Sequence, residues 1–221
     1  MPHIAMNSLK KLIVPELQGR TFILASTSPR RKDIMDKLGL TYTIVPSTFP
    51  ETLDKSLFKH PSEYVKENAL QKALEVYERL KAEGKELPDA IIGSDTVVAH
   101  DNRILEKPCS VQGAIDMLNS LSGSTHMVYT GVALVAKPRP GDPQDQPRVT
   151  IDFEGTEVIM HKYPESLVEA YVATGEPMDK AGSYGYQGVG AVLVKGINGC
   201  SWNVIGLPAS KLFFMLIEFL R

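Results

Sequence analysis

Three groups of charged residues stand where the local pattern alone gives them no structural role. Arg30, Arg31 and Lys32 follow Ser28-Pro29, a pair that opens a helix with serine as the N-cap and proline in the first turn. Cations there face the positive end of the helix dipole, at a cost of about 1 kcal/mol or less each. A phosphate held on the free N–H groups in front of the helix would reverse that sign; three solvated charges on an exposed face are the plainer alternative. Lys72 lies on the edge of an apolar stripe of Val65, Ala69, Val76 and Leu80, spaced as one helix face. Its ammonium either snorkels outward or points into a cleft. Asp95 follows Gly93 between Ile91-Ile92 and Thr96-Val97-Val98, an apparent strand break. A turn-capping aspartate fits there, and so does a general base or metal ligand at the rim of a sheet. Lys107 comes twelve residues later, returned towards Asp95 by an expected hairpin from Val97 to Leu105.

Several familiar chemistries are absent. The chain contains no GxxxxGK[ST] or HExxH, and its glycine-rich stretch from Gly182 to Gly188 lacks the order and setting of a dinucleotide fingerprint. Ser94 lacks the second glycine of a nucleophile elbow, which removes a serine hydrolase reading. Cys109 and Cys200 are isolated, so neither a zinc ribbon nor a redox CxxC can form and reduced, buried thiols are expected. His126 reads as structural, and Tyr184 and Tyr186 either as ordinary aromatics or as walls of a base pocket.

The elements that must position these groups alternate between short β-rich runs and helical patterns, as in an α/β protein with a central sheet covered by helices. Strands are expected at 21–25, 42–45, around the 90–98 break, at 127–137, 148–161 and 191–195. Helices are expected from Ser28-Pro29 to Gly39, from Pro61 to Gly84, from Ser110 to about Leu121, from Pro164 to Ala173 and from Leu207 to Leu220. Four prolines within residues 138–147 exclude regular structure there. Residues 1–19 read as an N-terminal extension and 20–221 as a single domain.

With 221 residues and 43% hydrophobic content, the chain can build a core without disulfides. Lys+Arg number 24 against 26 Asp+Glu, a net charge of −2, which removes the basic footprint of a nucleic-acid reader and favours a small anion as partner. No apolar run reaches the roughly 18 residues of a membrane span, so a soluble, cytoplasmic protein without a membrane partner is expected.

Taken in order, Ala25-Ser26-Thr27-Ser28-Pro29-Arg30-Arg31, Gly93-Ser94-Asp95-Thr96, Leu105-Glu106-Lys107-Pro108, Leu121-Ser122-Gly123 and Met178-Asp179-Lys180-Ala181-Gly182 followed by Gly185-Tyr186-Gln187-Gly188 resemble the Maf family of nucleoside triphosphate pyrophosphatases. The resemblance runs from about residue 20 to 210. It implies a two-lobed α/β fold on a twisted mixed sheet, similar to inosine triphosphatase, and hydrolysis of a nucleoside triphosphate to the monophosphate and pyrophosphate. By the same resemblance Asp95 is the proton acceptor and Glu51 an acid that works with it, the two being the implied ligands of Mg²⁺ or Mn²⁺. Lys72 and Lys107 neutralise the triphosphate. Ser26 and Arg31 belong to the phosphate loop, and Arg30, Thr96 and Gln187 to base selection. Pro50 stands where many members carry a second acid, which brings Asp54 in as a substitute ligand. The combination resembles the subgroup acting on dTTP and UTP, with modified pyrimidine nucleotides as further substrates, rather than the 7-methyl-GTP subgroup. A nucleotide-binding regulator of cell division or septum formation with little turnover is the alternative from another class. A homodimer is implied by the resemblance alone.

Overall fold

The computed structural model describes residues 14–143 and 145–221; the first thirteen residues of the expected extension lie outside them. The strands are β1 (Phe22–Leu24), β2 (Tyr42–Ile44), β3 (Ala90–His100), β4 (Arg103–Leu105), β5 (Thr125–Ala136), β6 (Arg148–Met160) and β7 (Val194–Asn198). They form a sheet in the order β2-β1-β3-β5-β6-β7, with β4 paired to β3 off this path. β1 is parallel to both β2 and β3, and the remaining pairings are antiparallel, so the sheet is mixed as expected.

The helices are α1 (Pro29–Leu38), α2 (Pro61–Ala82), α3 (Val111–Leu121), α4 (Glu165–Ala173), α5 (Ser201–Ile205) and α6 (Ala209–Leu220). Ser28 and Ser110 cap α1 and α3 through their side chains, and Gly39 ends α1 at a left-handed φ of 69°. Alternation along the strands divides the core between two faces. Phe22, Leu24, Ile92 and Leu134 pack with α1 and α6. Ile23, Ile91, Ala133 and Val135 pack against Ala69, Ala73 and Val76 of α2. The far halves of β3 and β5 enter a third cluster, where Val98 and Val128 meet Leu118 of α3 and Val168 of α4. Two packed regions therefore share the same long strands, and residues 94–96 of β3 fall between them.

Four expectations are corrected. β3 runs unbroken through Gly93-Ser94-Asp95, and a Cβ on Gly93 would overlap the carbonyl oxygen of Ala69 in α2. The glycine is needed for close approach of helix to strand, not for a turn. The strand placed at 191–195 begins only at Val194, because Val189–Leu193 is a 3-10 turn. The short α5 carries too few residues to show an apolar period and was not foreseen. Finally, neither thiol is buried: Cys109 is exposed and Cys200 intermediate. Among the described residues, no helix is long and apolar enough to cross a membrane.

Candidate active site

Six segments meet at the gap between the two packed regions. β3 presents Asp95 and Thr96, and α2, pressed onto it at Gly93, presents Lys72. The loop after β2 brings Glu51; it is tied to α2 where Thr48 N–H and Oγ1 donate to the Glu75 carboxylate, each at 2.9 Å. The β3–β4 hairpin turns at Asp101-Asn102, both with positive φ, as a two-residue hairpin turn requires, and so returns Lys107. The segment before α1 contributes Ser26 to Arg31, and the glycine-rich loop contributes Gln187. All nine residues singled out from the sequence line one cleft of about 470 Å³.

At its floor, Lys72 Nζ lies 2.8 Å from Asp95 Oδ1 and 3.0 Å from Glu51 Oε1. Lys72 is 7% exposed and Asp95 6%, whereas the Glu51 side chain is 50% exposed. Snorkelling is thereby ruled out: the ammonium points inward, and Asp95 faces the cleft rather than capping a turn.

The basic triplet divides. Lys32 pairs with Asp36 at 2.7 Å on the exposed face of α1, which is the solvated alternative. Arg31 turns into the protein, donating from Nε to Gly206 O at 2.9 Å, from Nη1 to Ser26 Oγ at 3.1 Å and from Nη2 to Thr96 Oγ1 at 3.2 Å. Two of its five N–H donors remain for a ligand. Thr96 is braced further by Thr130 Oγ1 at 3.0 Å, so its hydroxyl holds Arg31 and the strand partner together. Arg30 crosses the cleft to Asp179, with Nη1 at 2.8 Å from Oδ2 and Nη2 donating to the carbonyl at 3.1 Å. Arg31 and Lys107 form no ion pair among the described residues.

Environment separates the two floor carboxylates. Burial raises the Asp95 pKa, and Lys72 and Arg31 offset that only in part. Burial also acts to raise Glu51, but Lys72, Lys107 and Arg31 outweigh it and hold the group below its ordinary value. A pair of carboxylates pushed apart in this way divides acid–base roles, one able to take a proton and one staying ionised.

The residues also suit a hard divalent cation. Lys72 engages one oxygen of each carboxylate, so both already converge on a single positive charge. No group of three His, Cys, Asp or Glu that could hold a metal occurs among the described residues. Magnesium-like ions are commonly bound by one or two carboxylates, with phosphate oxygens and water completing the shell. Asp54, the substitute ligand expected from the sequence, does not line the cleft; its Oδ1 accepts from Ser56 N and caps the turn Lys55–Leu57.

Tyr184 and Tyr186, read from the sequence as ordinary aromatics or pocket walls, both line the cleft, and the Tyr184 hydroxyl meets Nε2 of His126 at 2.8 Å. His126 is structural, as expected: burial lowers its pKa to about 4. Asp179, which braces Arg30, stood in the sequence only as part of a family block, and Glu176, which braces the glycine-rich loop, was not singled out; neither partner can be read from spacing.

A mixed α/β sheet thus gathers a helix N-terminus, two cations without an ion pair and a buried carboxylate–lysine pair in one cleft. The family model for Maf-like proteins matches residues 21–219, and the chain belongs to that family. A probable bifunctional dTTP/UTP pyrophosphatase/methyltransferase protein of Homo sapiens is 43% identical over 206 residues, covering 93% of this chain and 33% of that protein. The chain thus spans about a third of the human relative's length. A dTTP/UTP pyrophosphatase of Clostridium perfringens is 44% identical, covering 86% of this chain and 93% of its own. One of Bacillus cereus is 42% identical, covering 90% and 96%.

Proposed function

We propose that this chain hydrolyses dTTP and UTP, and modified pyrimidine nucleotides, between the α and β phosphates, releasing the nucleoside monophosphate and pyrophosphate. The observation that carries this reading is Asp95, buried with a raised pKa and facing a cleft rich in cations. A water oxygen bonds to phosphorus as the α–β bridge breaks, one water proton passes to Asp95, and pyrophosphate leaves. Lys72 holds Asp95 in place and, with Lys107, offsets charge on the polyphosphate. Ser26, Arg31 and the N-terminus of α1 receive phosphate oxygens. A regulator that only bound nucleotide would need these cations but not a buried base.

Asp95 and Glu51 are the residues that would hold Mg²⁺ or Mn²⁺, which when bound screens phosphate charge and polarises the P–O bonds. Since phosphoryl transfer asks for positioning and electrostatics more than covalent chemistry, no side-chain nucleophile is needed. Arg30 and Gln187 face the base. Arginine only donates, so the edge it meets must accept, as the carbonyl oxygens of thymine and uracil do. A cytoplasmic enzyme that forms a homodimer completes the proposal, on the family resemblance.

The test is to incubate the protein with Mg²⁺ or Mn²⁺ and a panel of nucleoside triphosphates including 7-methyl-GTP, then separate the products. Thymidine or uridine monophosphate plus pyrophosphate is expected. Nucleoside diphosphate plus orthophosphate would overturn the cleavage position, and preferred turnover of 7-methyl-GTP would overturn the base.

A further inference from the structure

Two carboxylates outside the catalytic pair lie three residues apart in the 3-10 turn Glu176–Asp179; one is bonded to the loop that carries Gln187 and the other to Arg30. Glu176 Oε1 accepts from Tyr171 Oη at 2.9 Å and from Gly190 N at 3.1 Å, while Oε2 accepts from Val189 N at 3.0 Å. Tyr171 Oη in turn accepts from Gly185 N at 3.0 Å. Gly185 and Gly188 lie so close that a Cβ on either would overlap the Glu176 carboxylate. Segment 185–190 is therefore wrapped around one side chain, and its Gly185, Tyr186 and Gln187 line the cleft. At the other end of the turn, Asp179 takes both terminal nitrogens of Arg30, one on its carboxylate and one on its carbonyl. Lys180 joins the two ends, donating at 2.6 Å to Asp179 Oδ1 and at 2.6 Å to the Glu176 carbonyl.

We propose that the turn Glu176–Asp179 is the positioning element for base selection: Glu176 sets the loop that presents Gln187, and Asp179 aims the guanidinium of Arg30. This rests on the base-facing reading of Arg30 and Gln187. A glutamine amide offers a donor and an acceptor, and a half-turn exchanges them, so alone it accepts thymine and cytosine alike. Discrimination needs a second group that cannot invert, held in one place. Arg30 pinned by Asp179 is such a group, because it meets O4 of thymine favourably and the 4-amino group of cytosine unfavourably. An untethered Arg30 would swing aside and the distinction would fade. Neither Glu176 nor Asp179 touches Asp95 or Lys72, so the chemical step should be little affected.

The experiment measures Kd for α,β-methylene-dTTP and α,β-methylene-dCTP, whose bridges resist hydrolysis, together with kcat for dTTP. Asp179→Asn and Glu176→Gln should each lower the thymine preference about tenfold, the loss of one charge-assisted hydrogen bond, with kcat within about threefold of the parent. Asp179→Asn should add nothing in an Arg30→Ala background, nor Glu176→Gln in a Gln187→Ala background, since partners acting through one another are non-additive. An unchanged preference overturns the proposal, as do equal losses for both analogues that add fully to the partner substitutions. Asp179 is largely exposed, with 59% of its side chain open, so its variant folds and decides the matter if Glu176→Gln does not. Arg30→Ala and Gln187→Ala by themselves test the underlying base reading, and wild-type turnover tests the reaction, so the three failures are distinguishable.

Discussion

Asp95 and Glu51 share one lysine yet differ in what surrounds them, and the difference decides their chemistry. Asp95 has lost nearly all its water, so its charged form is disfavoured; Glu51 keeps half its exposure and gains from three cations. A carboxyl whose folded pKa is raised contributes stability below its ordinary value and withdraws it as pH rises through the raised one. Asp95→Asn removes that penalty together with the proposed proton acceptor. It should lower kcat by about 10²- to 10⁴-fold while dTTP binding persists. Calorimetry should find Tm at pH 8 equal to or above that of the parent, with the gap opening as pH rises from the ordinary aspartate range to the raised pKa. A variant less stable than the parent at pH 8 would mean that the Lys72 ion pair outweighs desolvation. The nine residues picked out from the sequence as types out of place or as family positions all line the cleft. Their bonding was not legible there: Arg31 and Thr96 brace each other, an arrangement that depends on Gly206, 175 residues from Arg31.

The pairing of Lys72 with Asp95 depends on how closely α2 lies on β3. Gly93 in β3 and Gly131 in β5 both face the helix backbone, where a Cβ would overlap the carbonyl oxygens of Ala69 and Val65. Gly93→Ala should therefore force the helix outward, costing on the order of 3 kcal/mol and lowering Tm by about 10 °C. Turnover should fall as well, because the same shift carries Lys72 from Asp95. Full activity at unchanged Tm would show that helix and strand can separate without disturbing the site. Cap-bounded elements were legible, α1 from Ser28 to Gly39 and α3 from Ser110, because a cap is a local hydrogen bond. Gly93 was misread as a break since a glycine looks the same in one dimension whether it permits a turn or a close approach.

On the scale of the whole molecule, a net charge of −2 coexists with a cleft where Arg31 and Lys107 feel the floor carboxylates but form no ion pair among the described residues. Attraction of a triphosphate to such a site is screened by salt. KM for dTTP should rise several-fold between about 0.05 and 0.5 M sodium chloride with kcat nearly constant. A KM that stays flat would mean that the cleft's own carboxylates already neutralise its cations. The sharing of β3 and β5 between two packed regions places the site at their junction, tying activity to the integrity of both. By itself the sequence determined the α/β class, most element boundaries, the family and nine residues of the cleft, because apolar period, caps and motif order are written along the chain. Only the tertiary structure decided which charges meet: Lys72 with Asp95 and Glu51, Arg30 with Asp179 across 149 positions, and Lys32 with nothing but its own helix. Those choices depend on angstrom-scale packing of helix on strand and loop on cleft, and neither residue type nor spacing encodes that distance.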